Sequence, residues 1–218
     1  MRIDGLVELE DRRVPAATGA AEPGVRDPLQ ELTAAVARDP RSWDDAAERD
    51  VRRRFDARAR DWSTRDSPEY RFPLTDALER GGVPRGGLCL EIGSGTGIQT
   101  PTLLAHFDSV LALDLSLEML TRAPRGRAIP VQADASCLPL KDHCASSVVC
   151  VNAFLFPAQY ARALRPGGAV VFVSTRGEHT PIYLAPDAVL ESLRRTEGSF
   201  TALTAHAGQG SWTVARRS

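Results

Sequence analysis

Three glycines at alternate positions follow a short apolar run in the middle of the chain. Gly93, Gly95 and Gly97 come directly after the apolar residues 88–92 and before a helical pattern over 100–106. Residues without Cβ let the backbone turn sharply and approach a ligand, and a helix N-terminus offers unpaired N–H groups. The arrangement predicts a nucleotide-like ligand at the junction of strand and helix. A tight turn that binds nothing is the alternative.

The spacing of the glycines separates the classes of nucleotide site. A dinucleotide fingerprint needs Gly-x-Gly-x-x-Gly, and its last position would be Ile98 counted from Gly93 or Thr100 counted from Gly95. A phosphate-binding P-loop needs a lysine after its last glycine, and Lys141 is the only lysine in the chain. Neither class fits.

Polar side chains follow the next apolar runs at the points where those runs end. Asp114 stands twenty-three residues after Glu91, Asp134 follows the third run, and Asn152 ends the fourth. A carboxylate in the position of Asp114 can accept hydrogen bonds from both hydroxyls of a ribose. A helix cap is the alternative role for Asp114, and an ordinary turn carboxylate is the alternative for Asp134.

The segments that position these residues alternate between strand and helix. Strands are predicted at 88–92, 110–114, 129–133, 147–152 and 169–174, and helices at 100–106, 116–122 and 157–164. Alternating elements with continuously apolar strands imply a parallel sheet that is covered on both faces. Residues 200–206 and 211–216 are predicted to form a closing β-hairpin.

The chain before this region has another pattern. Residues 1–28 contain three prolines among alanine and glycine and are predicted to be a flexible tail. Residues 29–84 are predicted to be a helical lid, with a short first helix, a longer one capped by Ser42, and a third over 73–80. Residues 85–218 form the main predicted domain.

The order of the motifs resembles that of class I S-adenosylmethionine-dependent methyltransferases. The chain has Glu-x-Gly-x-Gly-x-Gly at 91–97, VLALDLSLEML at 110–120, VQADASCLPLKD at 131–142 and ALRPGGAVVFVS at 163–174. The resemblance covers about residues 85–217. Within this family, the chain is similar to the small-molecule methyltransferases of the ubiquinone/menaquinone-biosynthesis type. The family resemblance implies an α/β fold, a Rossmann-like three-layer sandwich whose mostly parallel seven-stranded sheet ends in an antiparallel C-terminal strand.

The resemblance implies S-adenosyl-L-methionine as cofactor and S-adenosyl-L-homocysteine as product. Asp114 would bind the ribose and Asp134 the adenine amino group, while Glu91 would orient the glycine loop and the methionine amino group. Asn152 would face the methionine portion and the transferred methyl. The implied cofactor-binding residues are Glu91, Gly93, Ser94, Gly95, Gly97, Asp114, Leu115, Met119, Asp134, Ala135, Asn152, Tyr70 and Arg71.

The implied chemistry places few demands on catalytic side chains. The methyl group is already activated by its sulfonium, so the protein mainly orients the reactants and excludes water. An amine or carboxylate acceptor needs no base, and His179 is the candidate where one is needed, with a surface-loop histidine as the alternative. Tyr70 or Arg71 would meet the cofactor carboxylate. Trp62 and Tyr183 are candidates for the acceptor pocket.

Composition limits the partners. A net charge of −1 and a pI near 6.4 give no support for binding nucleic acid or an anionic membrane. Four cysteines without metal-ligand spacing predict no metal site. With only about 25 residues between strand five and the hairpin, the N-terminal part must supply the lid.

These features predict a cytoplasmic enzyme, monomeric or homodimeric, that methylates a small organic acceptor at oxygen, nitrogen or carbon. The alternatives are a methyltransferase acting on a peptide, protein or RNA, and a non-catalytic cofactor-binding relative.

Overall fold

The computed structural model describes residues 3–14 and 27–218. The strands are β1 (Leu6–Glu8), β2 (Arg12–Arg13), β3 (Leu88–Ile92), β4 (Ser109–Asp114), β5 (Ile129–Gln132), β6 (Ala145–Val151), β7 (Leu164–Ser174), β8 (Phe200–Gly208) and β9 (Gly210–Arg217). The α-helices are α1 (Pro28–Arg38), α2 (Asp45–Asp56), α3 (Pro68–Arg80), α4 (Thr100–Leu104), α5 (Leu117–Leu120), α6 (Pro157–Ala163) and α7 (Pro186–Arg194). Short 3-10 helices cover Pro40–Ser42, Ala59–Arg65, Ala135–Cys137 and Gly177–His179.

All of these strands belong to one sheet. Its order is β1-β8-β9-β7-β6-β3-β4-β5, and β2 also pairs with β8. The strands β3 to β7 pair in parallel, whereas β9 is antiparallel to both β7 and β8. The order reverses at β3, which lies between β4 and β6, and such a switch point opens a crevice at the carboxyl ends of the strands. The Rossmann-like architecture is confirmed.

The sheet has nine strands rather than the predicted seven, because the start of the chain joins it. β1 and β2 both pair in parallel with β8, with Leu6 opposite Ala202 and Arg12 opposite Ala207. An edge strand presents unpaired backbone groups that another segment can bind. Residues 3–14 therefore differ from the predicted flexible tail, as do Asp27 and Pro28, which begin α1, whereas residues 1–2 and 15–26 of that prediction lie outside the described residues.

The helices of the predicted lid begin elsewhere than expected. The N-cap of α2 is Asp44, whose carboxylate accepts from the N–H groups of Ala46 and Ala47, so Ser42 does not cap it. The helix α3 begins at Pro68, five residues before the predicted start, because Ser67 caps it and proline is favoured in the first turn. The helix α7 was not predicted from the sequence.

The apolar strands pack helices on both faces of the sheet. Leu90, Val148 and Val170 belong to a core with residues of α1, α6 and α7, whereas Cys89, Val149 and Val171 belong to a second core with residues of α3 and α4. The alternation of side chains along each strand divides the two cores. Among the residues that the structure describes, no helix is long and apolar enough to span a membrane.

Candidate functional site

A cavity of about 930 Å³, measured out to its open mouth, lies where β3, β4 and β6 end. Its floor includes residues that follow these strands, as expected for the switch point of a parallel sheet. Its roof comes from the segment before the main domain, through Trp43, Val51, Phe55, Trp62 and Tyr70. The N-terminal helical segment, called the lid below after its predicted role, and the strand ends therefore line one cavity.

The glycine loop needs its glycines for two different reasons. Gly93 and Gly95 have φ of +65° and +57°, which strains any residue with a Cβ. A Cβ on Gly93 would lie 2.8 Å from the Cβ of Ala153, and one on Gly95 would lie 3.2 Å from Nε1 of Trp62. The loop is thus held tightly between the β6 end and the lid. Gly97 has φ of +79° but does not line the cavity.

Asp114 binds the glycine loop directly. Its Oδ2 accepts from the Gly95 N–H at 2.7 Å and its Oδ1 accepts from the Ser116 N–H at 2.8 Å. Burial raises the pKa of this carboxyl group, which these backbone hydrogen bonds partly offset. Ser116 is the N-cap of α5, and Asp114 binds the N–H of that N-cap residue, so the structure shows Asp114 in contact with both the glycine loop and the start of this helix. Each carboxylate oxygen keeps a lone pair for a ligand.

Glu91 is buried behind the glycine loop and lines the cavity. Thr100 Oγ1 donates to its Oε2 at 2.7 Å. Burial raises the pKa of Glu91 to about 8, and the charge of Asp114 acts in the same direction. The carboxyl group is therefore mostly neutral at pH 7 until a positive charge enters the cavity.

Two buried polar atoms in the cavity wall have no hydrogen-bond partner within the described structure. They are Ser94 Oγ and Gln99 Oε1. The Gln99 amide is oriented by its Nε2, which donates to the Tyr70 carbonyl at 3.2 Å. Buried polar atoms without partners are costly, so this wall suits a ligand with polar groups.

A tryptophan of the lid binds Asp134. Trp43 Nε1 donates to Asp134 Oδ2 at 3.0 Å, while Asp134 Oδ1 accepts from the Ser136 N–H at 2.7 Å. The indole ring packs against Phe154 and Phe156, at centroid distances of 5.0 and 5.3 Å. Trp43 was not predicted as a site residue, because no local pattern connects it with a carboxylate ninety-one residues away.

Asn152 joins the lid to the ends of two strands. Its Nδ2 donates to the Tyr70 hydroxyl at 3.1 Å and to Thr175 Oγ1 at 2.9 Å, and its Oδ1 accepts from the Thr175 N–H at 2.9 Å. Asn152 holds a φ of +53°, which directs its side chain into this network at some backbone cost. Burial raises the pKa of Tyr70, so its phenol stays protonated and can donate a hydrogen bond.

Most of the site residues expected from the sequence line this one cavity. They are Glu91, Gly93, Ser94, Gly95, Asp114, Leu115, Met119, Asp134, Ala135, Asn152 and Tyr70. Trp62, a candidate for the acceptor pocket, also lines it, whereas Tyr183 does not.

Two further candidates lie away from the cavity. Arg71 forms a bidentate pair with Asp66, at 2.7 and 2.6 Å, and this pair occupies the guanidinium that was expected to meet the cofactor carboxylate. His179 is exposed at the end of a 3-10 helix after β7. Within residues 3–14 and 27–218, no group of three His, Cys, Asp or Glu side chains could hold a metal ion.

Comparison with known proteins identifies relatives of the central region. Residues 90–172 match the family model described as "Methyltransferase domain". The chain is 34% identical over 124 residues to the 23S rRNA (guanine(748)-N(1))-methyltransferase of Streptomyces fradiae, a match of 52% of this chain and 44% of that protein. It is 31% identical over 138 residues to the malonyl-[acyl-carrier protein] O-methyltransferase of Marinomonas sp. (strain MWYL1), covering 50% of this chain and 51% of that protein. The chain thus spans about half the length of the relatives it matches.

A solved structure shares the fold over most of both chains. The structure described as the DhpI-SAM-HEP complex is 24% identical, covers 75% of this chain and 94% of its own, and superposes with a TM-score of 0.60. At this level of identity the similarity establishes the architecture.

Proposed function

We propose that this chain, which carries a class I, Rossmann-like methyltransferase domain, transfers a methyl group from S-adenosyl-L-methionine to a small organic acceptor. The observation that carries the proposal is the cavity at the β3 switch point. It joins a polar wall on the glycine loop to an aromatic roof on the lid.

The polar wall fits the cofactor group by group. Asp114 offers lone pairs to the ribose hydroxyls and Asp134 offers one to the adenine amino group. Glu91, Ser94 Oγ and Gln99 Oε1 offer acceptors to the methionine ammonium, and Ser94 also offers a donor to its carboxylate. When bound, S-adenosyl-L-methionine supplies a methyl group on a positively charged sulfur. The residues of the chain orient it and exclude water.

The aromatic roof favours a small acceptor. Trp43, Phe55 and Trp62 close over the strand ends, and Phe154 and Phe156 follow β6 in the same cavity. Such pockets, lined by aromatic side chains with few polar groups, are typical of small-molecule sites.

RNA is the second candidate acceptor, because one of the two relatives is an rRNA methyltransferase. The net charge of −1 supplies no general attraction for a polyanion. A non-catalytic role has no observation of its own in its favour, whereas an acceptor carried on a protein is favoured by the second relative, a malonyl-[acyl-carrier protein] O-methyltransferase.

Calorimetry with S-adenosyl-L-homocysteine, S-adenosyl-L-methionine and NAD tests the cofactor. We expect micromolar binding of the first two and none of NAD. Asp114→Ala should abolish binding, whereas Asp142→Ala, which removes an exposed carboxylate paired with Arg162, should leave it unchanged. Unchanged affinity in Asp114→Ala would contradict the ribose role.

Labelled methyl groups then separate the acceptors. Protein incubated with methyl-labelled cofactor and either a fractionated pool of small metabolites or total RNA should label only the small-molecule fraction. Label in RNA alone would make the second candidate the function. A protein pool is the third arm of the experiment, and label in it alone would indicate a protein or peptide acceptor. Cofactor binding without label in any of the three pools would indicate the non-catalytic role.

A further inference from the structure

A hydrogen bond fastens the C-terminal end of the lid helix α2 to the loop that carries Asp114. We infer that Asp56 is a positioning residue for cofactor binding, because its carboxylate holds α2 on Ser116 and so keeps the lid in place over the cavity before the cofactor enters. This inference rests on the proposed function and deepens it, since it names a residue that acts through another rather than by touching the ligand.

Ser116 connects the lid residue Asp56 with Asp114. The Ser116 hydroxyl donates to Asp56 Oδ1, and the Ser116 backbone N–H donates to Asp114 Oδ1 at 2.8 Å. Ser116 is fully buried, and its Oγ also accepts from the Met119 N–H as the cap of α5. The side chain of Ser116 is thus held from both elements. A displacement of Asp56 therefore changes the support of the loop that presents Asp114 to the cavity.

The helix α2 is attached to the opposite side of the cavity at both of its ends. At its start, the preceding residue Trp43 binds Asp134, and at its end the last residue, Asp56, binds the loop after β4. Between these attachments, Val51 and Phe55 line the cavity. The helix therefore lies across the cavity between the two loops that carry the proposed adenine and ribose carboxylates.

The position of Asp56 carries an electrostatic cost. A negative charge at the last residue of a helix is disfavoured by the helix dipole. Burial and, to a lesser extent, the charge of Asp56 raise the pKa of Asp114. Asp50 of the same helix pairs with Arg53 and Arg54, whereas Asp56 forms no ion pair within the described part of the chain. A carboxylate kept at such a place suits a specific hydrogen bond, since costly positions of this kind concentrate at functional sites.

A lid that is fastened before the ligand arrives lowers the cost of binding. When the lid is already ordered, the cofactor does not have to order it. If the fastening is lost, only a fraction of the molecules have the lid in place, and the apparent affinity falls by that fraction. The loss should appear mainly as faster dissociation, because a loose helix retains the ligand less well.

Binding of S-adenosyl-L-homocysteine tests the inference, with calorimetry for affinity and stoichiometry and stopped-flow tryptophan fluorescence for the rates. For Asp56→Ala we expect the affinity to fall about tenfold through faster dissociation, with one site per chain retained. Asp56→Asn keeps an oxygen that can accept from the Ser116 hydroxyl and should bind within about twofold of wild type. Asp50→Ala, which removes exposed ion pairs of the same helix, is the matched control and should bind like wild type.

A double-mutant cycle with Ser116→Ala shows whether the loss passes through this hydrogen bond. In the Ser116→Ala background, Asp56→Ala should cost little further affinity. Losses that add in full would mean that Asp56 acts by another route, and the inference would be wrong.

The remaining outcomes separate a positioning role from a general loss of structure. Wild-type affinity in Asp56→Ala, or an equal loss in Asp50→Ala, would overturn the inference while the proposed function stands. So would a loss in Asp56→Asn as large as that in Asp56→Ala, or a lower stoichiometry at an unchanged dissociation rate, which would show a folding defect. If wild-type protein binds neither S-adenosyl-L-homocysteine nor S-adenosyl-L-methionine, the proposed function fails first and the inference falls with it.

Discussion

Glu91 carries the most strongly perturbed carboxyl group in the cavity wall. Its burial raises its pKa from 4.5 to about 8, while Thr100 donates the one hydrogen bond that favours the charged form. A carboxyl group buried in this way is suited to a cationic ligand, because the positive charge of the ligand stabilises the ionised carboxylate that burial disfavours. The same residue should make the ligand-free protein sensitive to pH.

Replacing Glu91 should remove that sensitivity. The folded pKa lies above the unfolded value, so the stability that Glu91 contributes is fully present below about pH 4.5 and is lost as the pH rises through 8. At pH 9 we expect Glu91→Gln to be more stable than wild type by on the order of 3 kcal/mol, with a small difference at pH 5. Urea denaturation at both pH values measures this.

Glu118→Gln is the matched control for that measurement. Glu118 is 56% exposed by side chain and pairs with Arg122 on the surface, so its replacement should change stability little at either pH. A Glu91→Gln protein whose stability follows the wild-type pH dependence would show that Glu91 is ionised in the folded state.

The hydrogen bond between Trp43 and Asp134 can be tested directly by substitution. Trp43→Phe keeps an aromatic ring against Phe154 and Phe156 but removes the N–H donor that holds Asp134 Oδ2. We expect the affinity for S-adenosyl-L-homocysteine to fall about tenfold, since a hydrogen bond to a charged group contributes about 1.5–3 kcal/mol.

A double-mutant cycle with Asp134→Asn decides whether the loss passes through the carboxylate. In the Asp134→Asn background, Trp43→Phe should cost little more. Losses that add in full would mean that Trp43 contributes to binding independently of Asp134.

At the scale of elements, α3 ties the start of the chain to the sheet. Asp76 of α3 is fully buried and binds Arg80 of the same helix, Arg12 of β2 and the Trp212 indole of β9. One carboxylate therefore connects the lid helix, the edge strand and the closing hairpin. The same helix places Tyr70 in the cavity, so its anchoring bears on the site.

The two arginines on Asp76 should contribute very unequally to stability. The side chain of Arg80 is 18% exposed and that of Arg12 is 50% exposed. Arg80→Ala leaves a buried carboxylate without its main partner and should cost about 3–5 kcal/mol of unfolding free energy, whereas Arg12→Ala should cost about 1 kcal/mol or less. Urea denaturation of both variants measures the difference.

Equal losses in Arg80→Ala and Arg12→Ala would contradict this ranking. They would indicate that Arg12 and Arg80 neutralise Asp76 to the same extent. Arg13→Ala, which removes the exposed pair between Arg13 of β2 and Asp11 just before that strand, serves as the control and should change the unfolding free energy little.

At the scale of the whole molecule, the cavity joins the lid to the sheet. Residues of the lid and residues that follow β3, β4 and β6 line the same cavity. A ligand in this cavity therefore contacts both the lid and the sheet. Binding to the folded state alone stabilises it by mass action.

S-adenosyl-L-homocysteine should therefore raise the melting temperature of the entire chain. At a concentration 100 times its dissociation constant we expect about 2.7 kcal/mol of stabilisation, or about 5–10 °C for a domain of this size. Differential scanning calorimetry should show a single transition that shifts as a whole. A shift confined to one of two transitions would mean that the lid melts separately from the sheet.

The sequence by itself determined the central architecture and the positions of the polar strand ends. Local apolar patterns predict where β3 and the closing hairpin begin. The same patterns place four polar residues at or near strand ends, namely Glu91, Asp114, Asp134 and Asn152. These patterns are readable because each strand of a parallel sheet is apolar along its own length. The cofactor roles of these residues stay predictions until the cofactor is bound.

Only the tertiary structure decided what surrounds those strand ends. Three contacts depend on which side chains and backbone edges approach each other in the folded chain. They are the pairing of β1 and β2 with β8, the hydrogen bond from Trp43 to Asp134, and the ion pair of Arg71 with Asp66. The paired segments and the Trp43–Asp134 contact join residues far apart in the chain, so no periodicity encodes them. Arg71 and Asp66 are close in sequence, yet arginine can pair with any carboxylate in reach, and only the folded chain determines which one it binds.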